Sequence, residues 1–187
     1  MADKLVVGLA GMAGSGKSIV VGTARENGYD IVVMGDEVRE EARSRNVESN
    51  PDNLGKIMLE LRHKEGEAAI AKRCIPKIER ATKQRIIVDG IRSLAEVEQL
   101  RQRFPSFTFI AIHASPETRF KRLFKRKRSD DPENWEAFIE RDYRELGVGL
   151  GNAIAMAEYL IVNEEDIDTA KVKTREVIRK IEEKWKR

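Results

Sequence analysis

Leu5-Val6-Val7-Gly8-Leu9-Ala10-Gly11-Met12-Ala13-Gly14-Ser15-Gly16-Lys17-Ser18 is the stretch on which the fold is read. Its first six residues form a short, apolar, β-rich run followed by glycine, the pattern of a strand buried on both faces. Gly11 to Ser18 then fills the spacing GxxxxGK[ST]. Glycines let the backbone curl until several N–H groups point at one phosphate, and the positive end of the following helix adds to them. At this spacing Lys17 bridges the β- and γ-phosphates and Ser18 offers its hydroxyl to Mg²⁺. Gly11, Met12, Ala13, Gly14, Ser15, Gly16, Lys17 and Ser18 are thus expected to cradle the phosphates of a nucleotide. A helix from Lys17 to about Asn27, closed by Gly28, should follow.

Outward from this loop, short apolar runs alternate with helical segments. Ile31-Val32-Val33-Met34, Ile86-Ile87-Val88, Phe107 to Ile112 and Tyr159-Leu160-Ile161-Val162 read as further buried strands. A helix is expected near Gly35-Asp36 with Val38 and Ala42 inward. From Pro51, Leu54, Ile57, Met58 and Leu61 share one helical face, as do Ala71, Cys74, Ile75 and Ile78 further on. Gly66 and Pro76 predict that this stretch is broken or kinked, giving two helices. Other helices are expected from Pro116, from Pro132 and from about Asp166 to Lys184. The alternation predicts an α/β fold, a three-layer sandwich around a five-stranded parallel sheet. Ligands of such sheets lie beyond the carboxyl ends of the strands.

The chain has 187 residues, enough for one domain, with 41% hydrophobic and 36% charged residues and a formal net charge of +3. That balance excludes a disordered chain and is too mild to demand a nucleic-acid partner. The single cysteine, Cys74, excludes an internal disulfide and a cysteine zinc site, and the two histidines, His63 and His113, stand far apart. No apolar run approaches the ~18 residues of a membrane span. A strand pattern begins almost at the N-terminus and leaves no room for a signal peptide, so a cytoplasmic location is expected.

Two strand ends carry the next residues of interest. Gly35-Asp36-Glu37-Val38-Arg39 follows the second strand, and Asp89-Gly90-Ile91-Arg92 ends and follows the third. These segments and the loop resemble the P-loop nucleoside monophosphate kinases, most closely adenylate-kinase-related proteins of archaeal type. In that group a Gly-Asp-x-x-Arg segment opens the acceptor-binding helix, and Asp-Gly-x-x-Arg or a close variant follows the third strand. Here Arg92 follows Asp-Gly after one residue only. The chemistry agrees with the resemblance. Transfer between two phosphorylated molecules brings highly charged anions together, so arginines must clamp the acceptor and neutralise the transition state. Arg39 and Arg92 are expected in that role, and Asp89 is expected to orient Mg²⁺. Asp36 reads equally as a helix N-cap or as a catalytic carboxylate.

The run Arg119-Phe120-Lys121-Arg122-Leu123-Phe124-Lys125-Arg126-Lys127-Arg128 admits three readings: a nucleic-acid patch, a solvated helix face with Phe120, Leu123 and Phe124 inward, or a lid over ATP. Arg128-Ser129-Asp130-Asp131 with Arg141 and Tyr143 is similar to the Arg-x-Asp-Asp…Arg…Tyr pattern of adenylate kinase lids. That resemblance implies phosphate contacts from Arg122, Arg128 and Arg141, with Asp130 and Asp131 pairing to arginines in the closed lid. Gly147 to Gly151 lacks a preceding strand and is expected to turn the chain toward the fifth strand. His113 is expected to be partly buried, and Cys74 to be packing.

The resemblance implies one kinase domain. Residues 1–35, 83–118 and 152–187 would form its core, about 36–82 an acceptor-binding helical insertion, and about 119–151 a lid. It also implies ATP and Mg²⁺ as cofactors and a small-molecule nucleotide as acceptor. The run from Gly8 to Ser18 is similar to dephospho-coenzyme A kinases as well, where Asp36 would serve as general base toward a ribose hydroxyl. Those kinases carry Asp-x-Asp after the second strand, and this chain has Asp36-Glu37-Val38. An NTP-hydrolysing, RNA-associated protein is the non-kinase alternative.

Overall fold

β1 (Leu5–Ala10) is buried at all six positions, as its unbroken apolar run requires. The computed structural model describes residues 4–128 and 131–186. From β1 the chain passes through the glycine loop into α1 (Lys17–Glu26), which ends where Gly28 adopts φ 81°. β2 (Asp30–Val33) runs directly into α2 (Met34–Ser44), and α3 (Pro51–Glu65) and α4 (Ala69–Arg80) come before β3 (Arg85–Asp89). Next are α5 (Leu94–Arg103), β4 (Phe107–His113), α6 (Pro116–Arg126), α7 (Trp135–Gly147), α8 (Leu150–Ala155), β5 (Tyr159–Val162) and α9 (Ile167–Trp185).

The sheet has the order β2-β3-β1-β4-β5 with every pairing parallel. β1 is therefore central, with β3 on one side and β4 on the other. Asp89 lies in register with Leu9 of β1 and with Val33 of β2, so the carboxyl ends of three strands open side by side. On one sheet face Val20 and Ala24 of α1 and Ile178 and Ile181 of α9 cover Val7, Leu9 and Ile110. On the other, a larger core joins the sheet to α2, α3, α4, α5 and α8. This is the expected three-layer α/β sandwich.

Helix starts follow their capping residues. Asn50, Ser93, Asn134 and Asp166 each accept a hydrogen bond from the backbone N–H three residues on. Lys4 caps the other end of α4, donating to the carbonyls of Ile78 (3.0 Å), Glu79 (2.9 Å) and Ala81 (2.6 Å).

Several expectations need correction. The stretch does form two helices, broken at Gly66 with φ 93° as expected, but Pro76 causes no break and sits inside α4. Pro76 removes one i→i−4 bond, but Ala71, Cys74 and Ile78 are all fully buried, and that packing carries the helix through. α7 begins at Trp135, three residues later than the Pro132 expected to open it, because Asn134 supplies the cap. Met34 opens α2 and does not end β2. His113 is exposed, and Phe124 is 51% exposed while Leu123 beside it is buried. Cys74 is a buried free thiol, as expected. Gly147 ends α7 and Gly149, at φ 105°, caps the short α8 that precedes β5. No described helix is long and apolar enough to cross a membrane.

Candidate active site

The glycine loop takes its shape from two residues that no other side chain could replace. Gly14 and Gly16 have φ of 80° and 105°, in the left-handed region that favours glycine. A Cβ on Gly14 would meet the Arg119 carbonyl oxygen at 2.7 Å, and one on Gly16 would collide with the Asn163 side-chain amide. Gly16 caps α1 with no side-chain hydrogen bond, which leaves the first-turn N–H groups for an anion. Inside this curl Lys17 donates from Nζ to the carbonyls of Gly11 (2.5 Å) and Met12 (3.3 Å). Burial lowers the Lys17 ammonium pKa to about 8; the Asp89 carboxylate opposes that shift, and the Arg92 guanidinium adds to it.

Asp89 closes the floor of the site. Burial raises its pKa, and Lys17 and Arg92 pull it back down. Its Oδ1 is buried with no hydrogen-bond partner, an expensive state for a carboxylate oxygen. An unpaired buried oxygen in the cleft that Ser18 also lines is the kind of donor a divalent cation takes. Among the described residues no cluster of three His, Cys, Asp or Glu side chains could hold a metal alone. A cation here would share its coordination with phosphate oxygens and water, as Mg²⁺ does.

Around the loop opens a cleft of about 760 Å³. Lys17, Arg92, Arg122, Arg126, Arg128 and Arg141 line it, together with the carboxylates of Asp89, Glu145, Glu165 and Asp166. Arg122 donates to the carbonyls of Asn163 (3.0 Å) and Glu165 (3.2 Å), which fixes α6 against the turn after β5. Arg92 is paired with Glu145 of α7 at 3.2 Å, and its backbone N–H donates to Glu96. Asp131 accepts from the Arg126 side chain and from the Arg128 N–H. Asp130, its expected companion, lies outside the described residues.

The structure places Lys17, Ser18, Asp89, Arg92, Arg122, Arg128 and Arg141 in the wall of this one cleft. It does not bring Asp36 or Arg39 into the cleft wall. These two pair with each other at 2.6 Å on the first turns of α2, each about half exposed. Three elements escaped the sequence reading. Asn163, 2% exposed, donates from Nδ2 to the Ser15 carbonyl (2.8 Å) and braces the loop. Glu145 faces Arg92 across the cleft. Arg119 belongs to the basic run yet is buried against Asp142, at 2.5 Å. Asn163 had a usable signal, since it follows a strand's carboxyl end; the other two had none.

Residues 10–138 match the profile of the AAA domain family. Over 180 residues the chain is 42% identical to a UPF0200 protein of Hyperthermus butylicus, covering 96% of both chains. The chain belongs to the UPF0200 family. Solved kinases share the fold of this UPF0200 protein at low identity. A gluconokinase from Sinorhizobium meliloti 1021 superposes with a TM-score of 0.59 at 14% identity, covering 97% of each chain. A shikimate kinase from Bacteroides thetaiotaomicron gives 0.58 at 13%, covering 94% of this chain and 98% of its own. The UPF0200 chain thus has the P-loop kinase fold, in which the parallel sheet presents the glycine loop at its centre.

Proposed function

We propose that this chain transfers a phosphoryl group from ATP to a small, phosphate-bearing nucleotide, most readily a nucleoside monophosphate. The observation that carries the reading is the convergence of Lys17, Arg92, Arg122, Arg126, Arg128 and Arg141 on one cleft at an uncapped helix N-terminus. Such a cleft suits several phosphates at once, and phosphoryl transfer is achieved mainly by positioning and charge neutralisation.

In this reading Lys17 leaves the Gly11 and Met12 carbonyls for the β- and γ-phosphate oxygens, where its charge is stabilised. The N–H groups of the loop hold the β-phosphate, and Gly14 and Gly16 keep them aimed at it. Ser18 and Asp89 hold Mg²⁺, which when bound neutralises charge on the transferring phosphate. Arg122, Arg128 and Arg141, carried by the α6–α7 region seated beside the loop, contact the phosphates and exclude water, so that transfer outruns hydrolysis. Arg92, now held by Glu145, faces the acceptor. Arg39, at the opening of α2, reaches the acceptor phosphate when it parts from Asp36. Residues 36–82, folded as α2, α3 and α4, serve as the acceptor-binding insertion, and 119–151 as the lid.

The second reading is transfer to a ribose hydroxyl, as on dephospho-coenzyme A, with Asp36 taking the proton. It is favoured by the position of Asp36 just past β2, in the row of strand ends that holds Asp89. One assay separates the readings. Labelled ATP is offered with AMP, CMP, UMP, dTMP or dephospho-coenzyme A in turn, and with RNA alone. Rapid labelling of one monophosphate is expected. Labelling of dephospho-coenzyme A alone selects the second reading, while RNA-stimulated hydrolysis with no labelled product refutes both.

A further inference from the structure

Arg119 is 3% exposed, and its guanidinium is engaged by four groups from three parts of the chain. It pairs with both carboxylate oxygens of Asp142 on α7, at 2.9 and 2.5 Å. It donates to the Ala114 carbonyl at the end of β4 (3.1 Å) and to the Ala13 carbonyl inside the phosphate loop (3.3 Å). Its Cζ also lies 4.9 Å from the centre of the Phe138 ring, again on α7. The contact with the loop is doubled in the main chain, because Gly14 packs directly on the Arg119 carbonyl. One residue therefore joins the phosphate loop, the sheet end and α7.

A buried pair of this kind is weak evidence for stability, since well-packed apolar residues often replace it without loss. Its geometry instead suits registration. A planar fork fixes direction as well as distance, which a lysine at the same place does not. Asp142 is flanked on α7 by Arg141 and, one turn on, by Glu145, and both line the cleft. Arg122 and Arg126 extend from the same helix as Arg119 into that cleft. The orientation of Asp142 relative to Ala13 thus sets where the α7 groups stand relative to the phosphates.

We propose that the Arg119–Asp142 pair is a positioning device that registers α7 to the phosphate loop, so that Arg141 and Glu145 meet the site the loop creates. Neither residue touches the reacting atoms; both act through Arg141, Glu145 and the Ala13–Gly14 backbone. The inference rests on the kinase reading only where turnover is measured.

The decisive variant is Arg119→Met with Asp142→Leu, which removes the fork and leaves no buried charge behind. Unfolding temperature, backbone hydrogen exchange and steady-state kinetics are measured on the full chain beside the wild type. The expected result is a near-wild-type Tm with exchange faster by about tenfold in both α7 and Ala13–Gly16. Turnover should fall by roughly tenfold to a hundredfold, the cost of displaced groups, while KM for ATP changes far less because Lys17 and the loop remain. Arg119→Lys, which keeps the charge and loses the fork, should show the same exchange pattern more weakly. It serves in place of the double variant if that one does not fold. Unchanged exchange in α7 and the loop overturns the inference, as does unchanged turnover in an active enzyme. If the wild type proves to have no kinase activity, the kinase reading fails alone and the coupled exchange still decides the registration.

Discussion

Replacing Glu96 by alanine removes a carboxylate that is 1% exposed and holds two elements at once. Its Oε1 accepts from Arg62 of α3 at 2.7 Å, and its Oε2 accepts from the Arg92 N–H at 2.8 Å. The Arg62 side chain is only 11% exposed, its Nε has no partner, and Nη1 faces only the Met58 sulfur at 3.3 Å. Glu96→Ala therefore strands a guanidinium with almost no water and no anion. Removing one partner of such a pair costs about 3–5 kcal/mol. The orphaned Arg92 N–H is counted within that figure. For a chain of this size each kcal/mol lowers Tm by about 2–4 °C, so a fall of roughly 6–20 °C is expected by calorimetry or circular dichroism. Arg62→Met with Glu96→Met should recover most of it, since no charge is then left buried. A loss below about 1 kcal/mol for Glu96→Ala, or a double variant less stable than the single one, refutes the account of this pair.

Lys17→Ala should weaken ATP binding by about 10- to 100-fold, the worth of one charge-assisted contact, with Tm little changed; calorimetric titration with a non-hydrolysable ATP analogue measures it, and wild-type affinity refutes the loop assignment. Burial pushes the Cys74 thiol from 9.0 up to about 12, so thiol reagents at pH 8 should label it only as fast as the chain unfolds. Between pH 9 and 12 the unfolded thiol ionises while the native one stays protonated, so this group makes stability fall as pH rises through that window. Fast labelling in native buffer counts against the buried position. Lys4→Met removes the cation from the α4 carbonyls and should cost about 0.5–2 kcal/mol in urea unfolding; no change would show that water replaces the ammonium.

What the sequence determined by itself were the features written in local spacing. Glycines at 11, 14 and 16 with Lys17 dictate a phosphate loop because backbone curvature and lysine reach depend on neighbours a few residues away. Apolar runs dictated the strands, and their alternation with helices dictated a parallel sheet whose carboxyl ends carry Asp89 and Arg92. Helix faces such as Ala71, Cys74 and Ile78 were legible for the same reason, since 3.6-residue periodicity is a local property. Exposure at the ends of elements was not, as His113 and Phe124 demonstrate, because periodicity names a face without saying what covers it. Tertiary structure alone decided the pairings. Asn163 braces the Ser15 carbonyl across 148 residues of chain, and Arg119 meets Asp142 23 residues away. Nothing in local composition separated Arg119 from its exposed neighbours in the basic run. It likewise decided that Arg39 holds Asp36 outside the cleft while Arg92 turns to Glu145 within it. Charge is a property of sequence, but its partner is chosen by which helices the packed core brings together.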